Sequence, residues 1–127
     1  MNNVVYVQLA GRNIPLKFSI RAADKIAEKY ESTEKWIEKM DSVDMGERMR
    51  AYVDGIAAMS EAGAAYLDMM RENHDALFEY SDFELILDWN ICANIFPKMR
   101  EAITGAQKRT VDIEEEPSKN EEPTPEN

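Results

Sequence analysis

Residues 44–73, DMGERMRAYVDGIAAMSEAGAAYLDMMREN, are the longest segment with a sustained helical pattern. Asp44-Met45-Gly46-Glu47 has the form of a capping box, in which an acidic N-cap and a Glu three residues on satisfy orphan amide donors. Behind it, Met45, Met49, Tyr52, Ile56, Met59, Gly63, Tyr66 and Met70 recur at spacings of four and three. That spacing keeps one stripe of a helix apolar along its length. Val53, Ala57 and Met69 widen the stripe, while Arg48, Arg50, Asp54, Glu61, Asp68 and Glu72 fall mostly off it. At 1.5 Å per residue the helix would be roughly 45 Å long, too long for a small domain to cover fully. Gly55, Ser60 and Gly63 are weak points, and a break near Ser60 is the alternative to one continuous rod.

Working outward, Val4 to Leu9 alternates in hydropathy, Ala10-Gly11-Arg12-Asn13 has turn composition, and Ile14, Leu16 and Phe18 alternate again. This pattern predicts a β-hairpin. Pro15 cannot donate to a ladder, so its strand belongs at an edge. A lone hairpin is marginal in water. It must rest its apolar face on a helix or add strands from another chain, which makes Val5, Val7, Ile14 and Leu16 the candidate oligomer edge. Ser19 is placed to cap a helix from Ile20 to about Glu31, with Ile20, Ala23, Ile26, Ala27 and Tyr30 inward. Thr33 to Met40 reads as a short helix with Trp36, Ile37 and Met40 inward.

Beyond the long helix, His74 to Tyr80 reads as a loop. Ser81-Asp82-Phe83-Glu84 is a second capping box, and Leu85, Trp89, Cys92, Phe96, Met99 and Ile103 then repeat at spacings of four and three. The register passes through Pro97 unchanged. One helix is therefore expected from about Asp82 to Thr104, kinked near Pro97 and stopped by Gly105. From residue 111 the chain loses its apolar residues, so 111–127 is expected to be a disordered acidic tail. The fold class is thus α+β and mostly α-helical. A single domain over 1–110 would consist of an N-terminal β-hairpin and a bundle of about four helices.

The net charge of −10 is unevenly spread. Residues 1–53 carry 9 basic and 8 acidic groups, and residues 54–97 carry 1 and 9. Residues 98–111 carry 4 and 1, and residues 112–127 carry 1 and 7. An acidic middle and tail argue against a nucleic-acid backbone as partner. No apolar run is long enough to span a membrane, and the N-terminus shows no secretory pattern. The single cysteine, Cys92, fits a reducing cytoplasm and lies on an apolar seam as a small hydrophobe. One His and one Cys leave little material for a metal site, and no Gly-rich loop suggests a cofactor.

Asp82, Glu84 and Asp88 could form an acid–base or metal cluster, but capping and a solvated face explain them more simply. His74 is placed to meet the end of the long helix, with no nucleophile nearby in sequence. The methionines are the more distinctive feature. Five of them, Met45, Met49, Met59, Met69 and Met70, lie on the long helix. Unbranched thioether side chains fill cores and also line grooves that repack around varied apolar partners. Met45, Met49, Tyr52, Ile56, Met59, Tyr66, Met69 and Met70 are therefore the candidate partner-binding residues. The small residues Ala57, Ala58, Ala62, Gly63, Ala64 and Ala65 would let a second helix approach.

The N-terminal hairpin, with Leu16-Lys17-Phe18-Ser19-Ile20-Arg21-Ala22-Ala23 running into Ala27-Glu28-Lys29-Tyr30, resembles the tail assembly chaperones of long-tailed, siphovirus-type bacteriophages of Gram-positive hosts. The order of hairpin, helices and polar tail is similar over about residues 4–104. A glycine commonly follows the tyrosine in such proteins, and here Glu31-Ser32 stands instead. The resemblance implies a non-enzymatic protein that binds the tape measure protein, the long helical ruler of the tail, and keeps its apolar segments soluble. It also implies residence in the host cytoplasm and absence from the finished virion. Two other readings stand beside it. One is a homo-oligomeric structural or adaptor protein without chaperone activity, and the other is a small enzyme using Asp82, Glu84 or His74.

Overall fold

Two strands come first, β1 (Val5–Leu9) and β2 (Arg12–Leu16), followed by α1 (Ile20–Tyr30), α2 (Thr33–Met40), α3 (Met45–Met69), α4 (Tyr80–Ile86) and α5 (Trp89–Lys119). This computed structural model describes the backbone of residues 4–119 and the side chains of residues 4–105. The class is the expected one, α+β and mostly helical, with five helices behind the hairpin.

The strands pair antiparallel with Leu9 opposite Arg12, so Ala10-Gly11 is a two-residue loop. Ala10 has φ 47° and Gly11 φ 82°, the pair of positive values that a type I′ turn needs to match strand twist. Val7, Leu9, Ile14 and Leu16 turn inward. The hairpin rests on α3 through β2 and on α5 through β1.

α3 is the central rod, packed against β2, α1, α2, α4 and α5. It is continuous through Ser60. The Ser60 hydroxyl donates to the Ala57 carbonyl one turn back, and Ile56, Ala58, Met59 and Ala62 around it are all buried. Packing against its neighbours outweighs the roughly 1 kcal/mol by which each helical glycine is disfavoured. The glycines serve close approach. A Cβ on Gly55 would collide with the Trp36 ring and lie 2.9 Å from Met99 Cε, and one on Gly63 would lie 2.5 Å from the Pro15 carbonyl oxygen. Trp36 is buried, and its indole Nε1 donates to the Ala51 carbonyl at 2.9 Å.

The start of α3 is capped by Asp44, whose carboxylate accepts from the Glu47 N–H at 3.0 Å. The return half of the box runs through Ser42. Its hydroxyl accepts from the Asp44 N–H and donates to Glu47 Oε1.

The C-terminal half differs from the expected single helix. The helix begins earlier, at Tyr80, where the Asp82 carboxylate accepts the Glu79 N–H at 2.9 Å. It then breaks at Leu87, which is extended (φ −80°, ψ 132°). Asp88 starts α5 by accepting the Ile91 N–H at 2.9 Å. The reason is rotational phase. Phe83 and Leu87 are buried, as are Cys92, Ile95 and Met99, whereas Leu85 and Trp89 are exposed. Cys92 lies five positions after Leu87, which on one helix would place them about 140° apart. The break resets the phase so that both sets face the core. Pro97 does not interrupt α5. Pro97 and Ala93 are both exposed, so the carbonyl that loses its donor lies on the side that water reaches. Gly105 does not end the helix, which is assigned through Lys119. Gly in a helix is disfavoured by only about 1 kcal/mol. The expected 111–127 tail falls on residues whose side chains, and from 120 whose backbone, lie outside the described part.

Candidate docking trough

α3 positions most of the expected binding residues, and its burial divides them. Tyr52, Ile56 and Met59 are buried and belong to the core, which corrects their expected role as partner contacts. Tyr52, Ile56 and Met59 lie on faces of the rod that neighbouring elements cover, whereas Ala57 is half-buried and Glu61 exposed on the remaining face. Met49 and Tyr66 are half-buried. Met45, Met69 and Met70 are exposed, but at opposite ends of the rod. The methionine stripe therefore does not form one groove. At the first end, Arg48 lies over the exposed Trp89 ring with Cζ 5.2 Å from its centroid. At the other, Lys17 lies over Tyr66 with Nζ at 4.4 Å.

The larger opening is elsewhere. A trough of about 910 Å³ runs between α1, α3 and the segment 77–79 that leads into α4 at Tyr80. Its floor is α3 at Ala57, Ala58 and Ser60, and Ile26, Leu77 and Phe78 supply apolar wall. Sequence reasoning placed Ala57 and Ala58 as close-approach residues but missed the wall. No local pattern shows where a segment without regular structure will cross a helix.

That segment is fixed in three places. Asn13 donates its backbone N–H to Asp75 Oδ2 at 2.7 Å. Arg12 Nη1 donates to the Ala76 and Leu77 carbonyls at 3.3 Å, and its guanidinium lies 4.1 Å from the Phe78 centroid. His74 lies between two acceptors, the Asp75 carbonyl at Nδ1 and Asp68 Oδ1 at Nε2, both at 2.8 Å. Only the doubly protonated ring donates to both. The Asp75 carbonyl, followed by Asp68, accordingly raises the His74 pKa.

One end of the trough is closed by a polar knot around Asp54, a buried carboxylate in the middle of α3. The Tyr30 and Tyr80 hydroxyls each donate to it at 2.5 Å, and Lys29 Nζ donates at 2.9 Å. Arg50 donates to the Tyr80 hydroxyl and to Glu84. Burial, then the hydrogen bond to Asp54, pushes the Tyr30 pKa up. The same carboxylate raises Lys29 against the opposing effect of desolvation. With three donors on Asp54 the knot makes no demand on a ligand and holds Tyr80, the end of the wall, against α1 and α3.

The three carboxylates weighed as a reactive cluster each have a local partner. Asp82 accepts the Glu79 N–H, Glu84 pairs with Arg50, and Asp88 caps α5. Cys92 is buried, and burial pushes its thiol up to about 11.

The expected oligomer edge also reads differently in the structure. Val7, Ile14 and Leu16 are buried and Val5 half-buried, so these side chains face the core and do not form an outer surface. Inward alternation in a hairpin packed on helices puts them there. The outer edge of β2 is covered. Besides the Asn13 bond to Asp75, Lys17 N–H donates to the Met59 carbonyl at 3.1 Å, and the Pro15 carbonyl faces Gly63. With Leu9 opposite Arg12 across a two-residue loop, the N–H and C=O groups of Tyr6 and Gln8 point away from β2. Among the described residues no backbone group outside the hairpin bonds to either.

Comparison with protein-family models, with characterised proteins and with solved structures gives no match. Among the described residues no helix is long and apolar enough to cross a membrane.

Proposed function

We propose that this protein is a non-enzymatic helix-binding protein, and specifically a tail assembly chaperone that holds apolar segments of the tape measure protein soluble in the host cytoplasm. The single observation that carries the reading is the open trough, floored by small residues, with Leu77 and Phe78 on one wall and charged side chains around its rim, on an otherwise well-packed acidic domain. Helix-in-groove recognition needs such a concave apolar surface. The Leu16–Tyr30 resemblance adds support through Glu31. This residue holds φ 75°, the backbone region that favours glycine, at the position where proteins of that family commonly carry one. The contact surface in this proposal is the trough, together with the exposed ends Met45 and Met69–Met70, in place of the whole methionine stripe.

Co-expression tests the proposal. Co-expressed with a tape measure protein, this chain should raise the partner's soluble fraction several-fold and co-purify with it. An unchanged soluble fraction overturns the chaperone role. The second reading, a homo-oligomeric adaptor, is favoured by the outward backbone groups of Tyr6 and Gln8. It requires an assembly in sedimentation that persists without any partner.

A further inference from the structure

We infer that the trough takes one class of occupant: an amphipathic helix whose apolar ridge is flanked by lysine or arginine. The inference rests on the helix-binding reading above and specifies the partner's chemistry. Three observations lead to it.

The first concerns backbone. An extended peptide needs partners for its own N–H and C=O groups. Two sides of the trough are helices α1 and α3, whose backbone groups are paired internally. On the third side Arg12 holds the Ala76 and Leu77 carbonyls and the start of α4 holds the Glu79 N–H and C=O, which leaves at most the Leu77 and Phe78 groups, too few for a strand ladder. The Ser60 hydroxyl is turned back to its own helix. A ligand with its own backbone bonds already made, a helix, fits this surface.

The second is depth. The open part of the floor is the half-buried Ala57 methyl group, so an approaching helix can lie close to α3 while its ridge meets the half-buried Leu77 and Phe78.

The third is charge. The trough residues include four carboxylates, of Glu28, Asp54, Glu61 and Glu79, against the ammonium groups of Lys25 and Lys29. Lys29 is held by Asp54 at the closed end, while Lys25 and Glu61 form an exposed pair at 2.6 Å. Glu28 stands exposed at the rim, and Glu79, also exposed, turns its carboxylate to the Asp82 N–H at the start of α4. Incoming cations therefore meet acidic groups, and a partner cation can displace Lys25 from Glu61. The same charge disfavours the chain's own C-terminal segment as occupant, since residues 112–127 carry seven acidic groups and one basic. It disfavours a second copy of a chain of net charge −10 for the same reason.

The experiment titrates the full chain with three fluorescent 18-residue peptides. One has a Leu/Ala ridge flanked by Lys at helical spacing, one has Glu in place of Lys, and one has the Lys composition in an order without helical periodicity. The Lys-flanked helix should bind at least tenfold more tightly than either control. Ala57→Arg, which fills the floor from a half-buried position, should weaken binding about tenfold or more. Glu28→Lys at the exposed rim should weaken it severalfold, and Glu101→Arg on α5 should leave it unchanged. Equal binding of the aperiodic peptide shows bare charge attraction and overturns the inference. Full binding by both Ala57→Arg and Glu28→Lys overturns it too, as does no binding by the Lys-flanked helix. Co-expression scores the chaperone role separately, so that role can fail while the trough still binds helices, or stand while the trough does not.

Discussion

At the scale of single residues, the tightest requirement is at Gly55. Alanine there would gain helix propensity, about 1 kcal/mol. Its methyl group would have to displace the ring of Trp36, which packing and the bond to the Ala51 carbonyl hold in place. Overpacking of a filled core costs about 1–3 kcal/mol. Gly55→Ala is therefore expected to lower the denaturant midpoint, with circular dichroism showing unchanged helix content. A midpoint equal to or above the original would mean that Trp36 is freer than its burial indicates. Asp54 is a different case. Its carboxylate sits in a stretch of α3 that is otherwise apolar or small, and three donors from α1 and α4 converge on it. The sequence shows the acidic residue but not the partners, which lie 24 to 26 positions away.

At the scale of elements, what ends a helix matters as much as what forms it. α1 stops at Glu31, whose N–H returns to the Ala27 carbonyl at 2.7 Å while its φ stands at 75°. A side chain in that region costs about 1 kcal/mol or more, and glycine removes the strain. The ion pair lost with the change, Glu31–Lys35, is between exposed groups, and such pairs contribute little. Glu31→Gly should thus raise stability by about 1 kcal/mol, read as a higher thermal midpoint in calorimetry. A fall would place the value of the side chain above that of the backbone. The division between α4 and α5 belongs to the same scale. Leu85 and Trp89 keep the local register with Cys92 and Met99, and local register alone favours one helix. The core instead recruits Phe83 and Leu87, and Asp88 is available to cap the restart.

At the scale of the whole molecule, the buried Cys92 and the partners of Asp54 set the alkaline limit of the fold. Burial raises Cys92 from 9.0 to about 11, and Tyr30 and Lys29 are raised above 10.0 and 10.5 in the Asp54 knot. A group whose folded pKa is raised contributes fully below its unfolded value and loses that contribution as pH climbs through the folded one. Stability should accordingly hold to about pH 9 and fall progressively above it. Unfolding midpoints measured at pH 8, 10 and 11 test this. Cys92→Ala should flatten the first part of the decline, and Tyr30→Phe the later part. A profile level to pH 11 would show that these groups ionise as freely in the folded protein as in the unfolded chain.

Local chemistry by itself settled the hairpin, the caps at Ser19 and Asp44, the helical rod and the mostly helical class, because alternation, heptad-like spacing and capping act between near neighbours. Tertiary structure alone decided which parts of the rod see solvent. A periodic stripe identifies an apolar face, but five neighbouring elements wrap α3 and seal Tyr52, Ile56 and Met59 while leaving Met45 and Met69 outside. The trough was likewise beyond local reading. It exists because Arg12, Asn13 and Tyr80 tie an irregular segment to places 26 to 65 residues distant. Contacts over such separations depend on the path of the whole chain and leave no periodic trace in it.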